Sequence, residues 1–178
     1  MSTPTVAIRR ICAQDLNQIG RFAFTVSITE PLTEADRLGQ ALENTGFWQE
    51  EAGAVALVET ASGRLLGTAQ FYRSGPCIHG LELGYIIHDP SDRGRGYAAP
   101  AVAMFADLLF EQRPGVHRLQ LMIEVWNTAS WRLAERCGFV REGLVRSSGF
   151  GESDPGDSFL YARTRKDWRE QRQTKVGG

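Results

Sequence analysis

Apolar and polar positions along the 178-residue chain recur with a period that switches between two and about 3.6 residues, and each switch marks an element. The segment "TVAIRRI" alternates as a half-buried strand does, and "AQDLNQIGRFAFTV" then takes helical spacing with Asp15 as its N-cap. "TEADRLGQALENTG" repeats the helical period, with Thr33 and Asp36 at capping-box spacing and Gly46 placed to end the helix. Two strand-like runs, "AVALVET" and "RLLGTAQFYR", flank "ASG", a short glycine-containing connection that reads as a hairpin. A third run, "LELGYIIH", follows the loop "SGPCIHG", so an antiparallel meander is predicted. The spacing next predicts a helix from Gly96 to Phe110, a strand in "HRLQLMIEVW", and a helix in "NTASWRLAERCGF" closed by Gly138. "VREGLVRSS" and "SFLYARTRKDW" read as a last pair of strands, followed by a polar tail beyond Arg169. The predicted order, β-α-α-β-β-β-α-β-α-β-β, is that of a mixed α/β (α+β) fold in which helices cover a largely antiparallel sheet.

The length suits one domain, expected over residues 1–170, with 171–178 as the tail. Apolar residues at 42% and charged residues at 23% exclude a disordered or fibrous chain. A net charge of -1 gives no overall attraction for nucleic acid or an anionic membrane, so neither is expected as a partner and any anion site must be local. Cys12, Cys77 and Cys137 are odd in number and lack a C-x-x-C pair, which implies neither a disulfide framework nor zinc. His79, His88 and His117 show no ligand spacing either, so no metal is expected. The N-terminal segment has no charged start leading into an apolar core, and no run approaches a membrane span, which makes a cytoplasmic location the expectation.

Candidate chemistry begins at "DRGRGYAAP". Gly94-Arg95-Gly96-Tyr97-Ala98-Ala99 satisfies the G-x-G-x-x-A dinucleotide pattern, but it follows a meander rather than a first parallel strand, and Glu124 stands too far downstream to hold a ribose. No Gly-Lys-Ser/Thr follows to make a P-loop, and an RGG-type RNA segment would be repeated and disordered. Two readings stay open on these residues alone. One is an anion cradle of backbone amides at a helix N-terminus, supplemented by Arg93 and Arg95; the other is a tight turn before a helix.

Taken with its neighbours, Arg93-x-x-Gly96-x-Ala98 resembles the R/Q-x-x-G-x-G/A motif of the GNAT acetyltransferase superfamily. "EVWNTASWRLAERCGFVREG" is similar to that family's N-x-x-S…L-x-x-x-G-F-x-x-E-G segment, in the form found in its RimJ/RimL-like branch of ribosomal-protein N-terminal-alanine acetyltransferases. The resemblance spans Thr5 to Trp168. It implies a mostly antiparallel central sheet with helices on both faces and a splayed parallel pair, "LELGYIIH" and "RLQLMIEVW", that admits pantetheine. It also implies acetyl-CoA as co-substrate, its pyrophosphate held by Arg93, Gly94, Arg95, Gly96, Tyr97 and Ala98, mainly through backbone amides. Backbone N–H groups of Tyr85, Ile86 and Ile87 would polarise the acetyl carbonyl, and Asn127, by its position an N-cap, would also reach pantetheine.

Acetyl transfer to an amine needs a group to take the amine proton and one to protonate the departing thiolate. The resemblance puts Glu82 at the first task; a strand carboxylate facing solvent or pairing with an arginine is the other reading. Where many family members carry the tyrosine acid this chain has Ala134, and Ser130, three residues after Asn127, occupies the position of the branch's substitute. A first-turn helix serine is the alternative there. The expected acceptor is a primary amine, either a peptide N-terminus or a small molecule, and an α-amino group with a pKa of about 7.7–8.0 needs less help than a lysine near 10.4. The resemblance puts Phe47 and Trp48 where relatives have part of the acceptor pocket, whereas Trp126, Trp131 and Phe139 read as core or pocket wall. Glu30, Glu34, Asp36, Glu43, Glu50 and Glu51 fit an acidic acceptor side and a solvated helix face equally. Asp157 reads as a turn residue or an amine contact, and Cys137 as buried, which favours direct transfer in a ternary complex. The competing class is a non-catalytic acyl-CoA-binding module, and either a monomer or a homodimer is compatible with the sequence.

Overall fold

The computed structural model describes residues 6–21, 35–75, 78–149 and 156–176. Its strands are β1 (Val6–Arg10), β2 (Ala52–Glu59), β3 (Leu65–Arg73), β4 (Leu81–Ile87), β5 (Arg118–Glu124), β6 (Val140–Val145) and β7 (Ser158–Thr164). They form a seven-stranded sheet in the order β1-β2-β3-β4-β5-β7-β6. The ladders β1–β2, β2–β3, β5–β7 and β6–β7 are antiparallel. β4 and β5 run parallel, through Leu81↔Leu119 and Glu82↔Gln120, the first two residues of β4. The helices are α1 (Leu16–Arg21), α2 (Ala35–Thr45), α3 (Ala98–Gln112), α4 (Thr128–Arg136) and α5 (Arg165–Val176), with 3-10 turns at Ala13–Asp15 and Pro90–Asp92. No helix among the described residues is long and apolar enough to cross a membrane.

The chain, expected from its length to be one domain, divides into two compact units: residues 1–72 with 84–102, and residues 73–83 with 103–178. In the first unit Ile11, Ile19, Leu38, Phe47, Ala56, Val58 and Leu65 pack as one cluster. The four consecutive buried residues Val55 to Val58 place apolar side chains on both faces of β2, so that strand is covered on each side. Asp15 is not the N-cap of the helix it precedes. Its buried carboxylate takes both Nη groups of Arg9, at 2.6 and 2.8 Å, and the Cys12 amide at 2.9 Å, which leaves it inside the 3-10 turn. The capping box expected at Thr33 lies outside the described residues.

α3 buries Ala101, Val102, Phe105, Ala106, Leu109 and Phe110, two adjacent positions in each turn, the stripe a core-facing helix requires. In the second unit its end is closed by a side chain from α5. Arg165 donates to the carbonyls of Val116, Phe110 and Arg113 at 2.8, 2.9 and 2.6 Å and lies over the Phe110 and Trp168 rings. α5 corrects the sequence reading, which continued the last strand to Trp168 and ended in a tail. The Thr164 amide donates to Asp167 Oδ2 at 2.8 Å, and the Asp167 amide donates back to Thr164 Oγ1 at 3.2 Å, a capping box that stops β7 and starts a helix. Arg165→Ala is expected to lower unfolding free energy in urea by about 3 kcal/mol, because it orphans helix-end carbonyls and strips Phe110 and Trp168 of their cover. A midpoint within error of wild type would show the three hydrogen bonds to be replaceable by water.

Candidate functional site

In the first unit the residues after β4 fold back on themselves before α3 begins. Asp89 Oδ1 accepts from the Ser91 amide at 2.8 Å and fixes the 3-10 turn. The Arg93 amide then donates to the Pro90 carbonyl at 3.1 Å, while Arg93 Nε donates to the Ile87 carbonyl at 3.1 Å. Gly94 and Gly96 both sit in the left-handed region, at φ of +73° and +85°, a conformation costly for any residue with a Cβ. This is why α3 starts at Ala98 rather than at Gly96, where the periodicity predicts it. Arg93, Gly94, Arg95 and Gly96 are exposed, and they stand between buried Asp92 and buried Tyr97. No described residue accepts from the amides of Gly94, Arg95 or Gly96. Exposed residues whose amides have no described acceptor, beside the N-terminus of a 15-residue helix, are suited to a phosphate-like anion.

Tyr85 and Ile86 are half-buried and Ile87 is buried, all on the stretch of β4 that belongs to this unit. Tyr97 is buried, and its phenol donates to Glu59 Oε1 at 2.8 Å. His88, just past β4, is also buried, within 3.4 Å of Gln18 Nε2 and Thr68 Oγ1, and burial pushes its pKa below the ordinary value. Phe47 belongs to the core cluster, and Trp48 meets Phe71 edge-on at 5.1 Å. Glu43, Glu50 and Glu51 are exposed; Glu30, Glu34 and the Asp36 side chain lie outside the described residues.

The second unit carries the other candidates. Glu82 is half-buried and its Oε2 accepts from Gln120 Nε2 at 3.0 Å; Gln120 Oε1 in turn accepts from Arg118 Nε at 3.2 Å. The buried amide thereby fixes the direction of the carboxylate. The signal for Gln120 was a polar position within the apolar alternation of "RLQLMIE", which the sequence reading passed over. Asn127 caps α4 as expected, its Oδ1 accepting from the Ser130 amide at 3.2 Å. Its Nδ2 donates to no described residue. Ser130 is half-buried in the first turn of α4, whereas Ala134 one turn on is wholly enclosed. Gly138 closes the helix at φ +80°.

Two further readings resolve on contact. Burial pushes the Cys137 thiol up to about 11, so it is protonated and inert at neutral pH. Asp157 Oδ1 accepts from the Ser147 amide at 3.0 Å, the behaviour of a turn residue. Phe139 is buried and Trp131 half-buried, but Trp126, expected as core or pocket wall, is 72% exposed. It lies beyond the end of β5, in a turn where its carbonyl accepts from the Thr128 amide at 2.8 Å, and no strand pleat directs it inward. Among the described residues no group of three or more His, Cys, Asp or Glu side chains is placed to hold a metal ion.

This strand order, with one parallel pair and a glycine-formed turn at the start of α3, is that of a mixed α/β transferase domain, and residues 6–140 match the acetyltransferase (GNAT) domain. The chain belongs to that family. Of individual proteins, it is 25% identical to the probable N-acetyltransferase YjcK of Bacillus subtilis (strain 168) over 101 residues, 56% of this chain and 55% of that protein. The chain thus spans about half the length of the curated relative it matches. Among solved structures it is similar to a chimera of the spermidine N-acetyltransferase SpeG from Vibrio cholerae and hSSAT, with a TM-score of 0.76 and 21% identity, covering 94% of this chain and 99% of that one. A GNAT-family acetyltransferase from Bacillus anthracis superposes with a TM-score of 0.71 at 18% identity, covering 93% and 98% of the two chains. At these identities the structural likeness is one of fold.

Proposed function

We propose that the protein transfers an acetyl group from acetyl-CoA to a primary amine, directly and within a ternary complex. The observation that carries this reading is the exposed loop 93–96 at the head of α3, with Gly94 and Gly96 left-handed and no described acceptor for the amides of residues 94–96. Those amides, with Arg93 and Arg95, hold the pyrophosphate of the donor. Asn127 Nδ2 binds a pantetheine carbonyl, and backbone N–H groups of Tyr85 to Ile87 stabilise negative charge on the acetyl oxygen. Glu82, aimed by Gln120, takes the proton of the amine as its nitrogen bonds to the carbonyl carbon and the C–S bond breaks. Ser130 passes its hydroxyl proton to the leaving thiolate and recovers one from water. The N-terminus of α4 adds partial positive charge next to Ser130. The protonated state of Cys137 supports a route without an acyl-enzyme.

The acceptor is an α-amine or a small-molecule amine. The Asn127–Ser130 pattern shared with the RimJ/RimL-like branch favours peptide N-termini, and the spermidine acetyltransferases with this fold favour polyamines. A panel of peptide N-termini, polyamines, lysine and aminoglycosides, assayed by release of free CoA, is expected to give turnover with at least one class. Acetyl-CoA binding without turnover on any amine would make the chain a binding module instead. No binding of acetyl-CoA would overturn both.

A further inference from the structure

Loop 93–96 is gripped at both ends by a single turn elsewhere in the first unit. On its N-terminal side Asp92, 4% exposed, has both carboxylate oxygens held by Arg64, Nη1 at 2.5 Å and Nη2 at 3.0 Å. On its C-terminal side the Tyr97 hydroxyl is held by Glu59 Oε1 at 2.8 Å. Glu59 and Arg64 are the two ends of the connection between β2 and β3, locked to each other by Glu59 N–H to Arg64 C=O at 2.9 Å and Gly63 N–H to Glu59 C=O at 2.8 Å. Ser62 Oγ donates to Glu59 Oε2 at 2.6 Å, and Arg64 Nε lies 3.7 Å from that same oxygen. Two carboxylates are thus placed within a residue of a loop that takes an anion, an arrangement that opposes the anion unless both are compensated. Arg64 faces both. Arg95, 58% exposed, touches Asp92 only at 3.9 Å.

Resting on the donor reading above, we propose that the Glu59–Arg64 turn is a clasp that presets the pyrophosphate loop, with Arg64 as a positioning residue that neutralises Asp92 and Glu59 so that Arg95 can turn to the donor's phosphates. Arg64 touches no reacting atom; its effect falls on donor affinity. Asp92 and Tyr97 fix the ends of a loop that two glycines would otherwise leave mobile, and the order needed for binding exists beforehand.

The test is acetyl-CoA titration and steady-state kinetics on Arg64→Gln, Asp92→Asn, the double variant and Tyr97→Phe, each checked for a wild-type melting profile. Arg64→Gln is expected to raise the Kd and KM for acetyl-CoA about tenfold at low salt, with kcat at saturation unchanged. Neutralising Asp92 as well should return the Kd to within about threefold of wild type, and the defect of the single variant should shrink in 1 M salt, where charges are screened over about 3 Å. Tyr97→Phe should weaken binding about threefold through loss of the Glu59 tether. S-acetylpantetheine, which has no pyrophosphate, should show the same KM with every variant. If Arg64→Gln misfolds, Arg64→Lys keeps the charge without the fork and should bind within about threefold of wild type. Wild-type affinity in Arg64→Gln, a double variant as weak as the single, or a defect that salt leaves unmoved would overturn the clasp while leaving the donor reading standing. Failure of the wild type to bind acetyl-CoA would overturn the donor reading, and the clasp with it.

Discussion

Ser130→Ala is expected to release CoA about a hundredfold more slowly at saturating substrates while binding acetyl-CoA within about twofold of wild type. The separation follows from how the cap is built. Asn127 Oδ1 receives the Ser130 backbone N–H, so removing the hydroxyl leaves the cap intact, and alanine is itself a strong helix former. What is lost, on the proposed mechanism, is the proton donor to the departing thiolate. Ala134, wholly enclosed one turn on, has no side-chain proton to supply. Because water can protonate a thiolate slowly, the variant should retain activity, with a rate that rises when the donor's thiol is a better leaving group. Unchanged turnover would show that the sulfur takes its proton elsewhere and would return Ser130 to the role of a first-turn helix serine.

The order of elements could be read because each change of period is punctuated locally: Gly46 and Gly138 end their helices at positive φ, and Asn127 starts one with its own side chain. Gly94 and Gly96 announced a strained turn in the same way. α5 was missed although Thr164 and Asp167 stood at capping-box spacing, because "SFLYAR" and Trp168 gave the segment a strand's composition. The clasp could not be read at all. Arg64 and Asp92 are 28 residues apart, and Glu59 and Tyr97 are 38 apart. No periodicity links such pairs; only the folded hairpin does. Trp126 failed for the opposite reason, since an apolar side chain is assigned to the interior by composition while its place past a strand end decides otherwise. Turns and caps were therefore legible where backbone conformation dictates residue type, and contacts between distant side chains were not.

Gly67→Ala is expected to destabilise the first unit by about 3 kcal/mol or more, lowering Tm by roughly 10 °C, and to cost at least about tenfold in acetyl-CoA affinity in whatever remains folded. Gly67 lies in β3 opposite Leu57, and a Cβ there would stand 1.9 Å from the Ile86 carbonyl oxygen, 2.9 Å from its carbon and 3.0 Å from Ile87 Cα. All three are backbone atoms of β4, so no rotamer change relieves the clash and the strand itself must move. The consequences run to the site along bonds already described. His88 N–H is tied to the Leu66 carbonyl at 2.9 Å, and the Ile87 carbonyl anchors Arg93 Nε at 3.1 Å. Shifting Ile86 and Ile87 therefore displaces both the proposed carbonyl-polarising amides and the root of the proposed pyrophosphate loop. Gly143→Ala supplies the control: a Cβ there meets nothing within 4 Å, and its melting temperature should match that of wild type. If Gly67→Ala melts with the control and binds acetyl-CoA as tightly, then β4 tolerates displacement at Ile86, and the placement of Tyr85 to Ile87 does not govern donor binding.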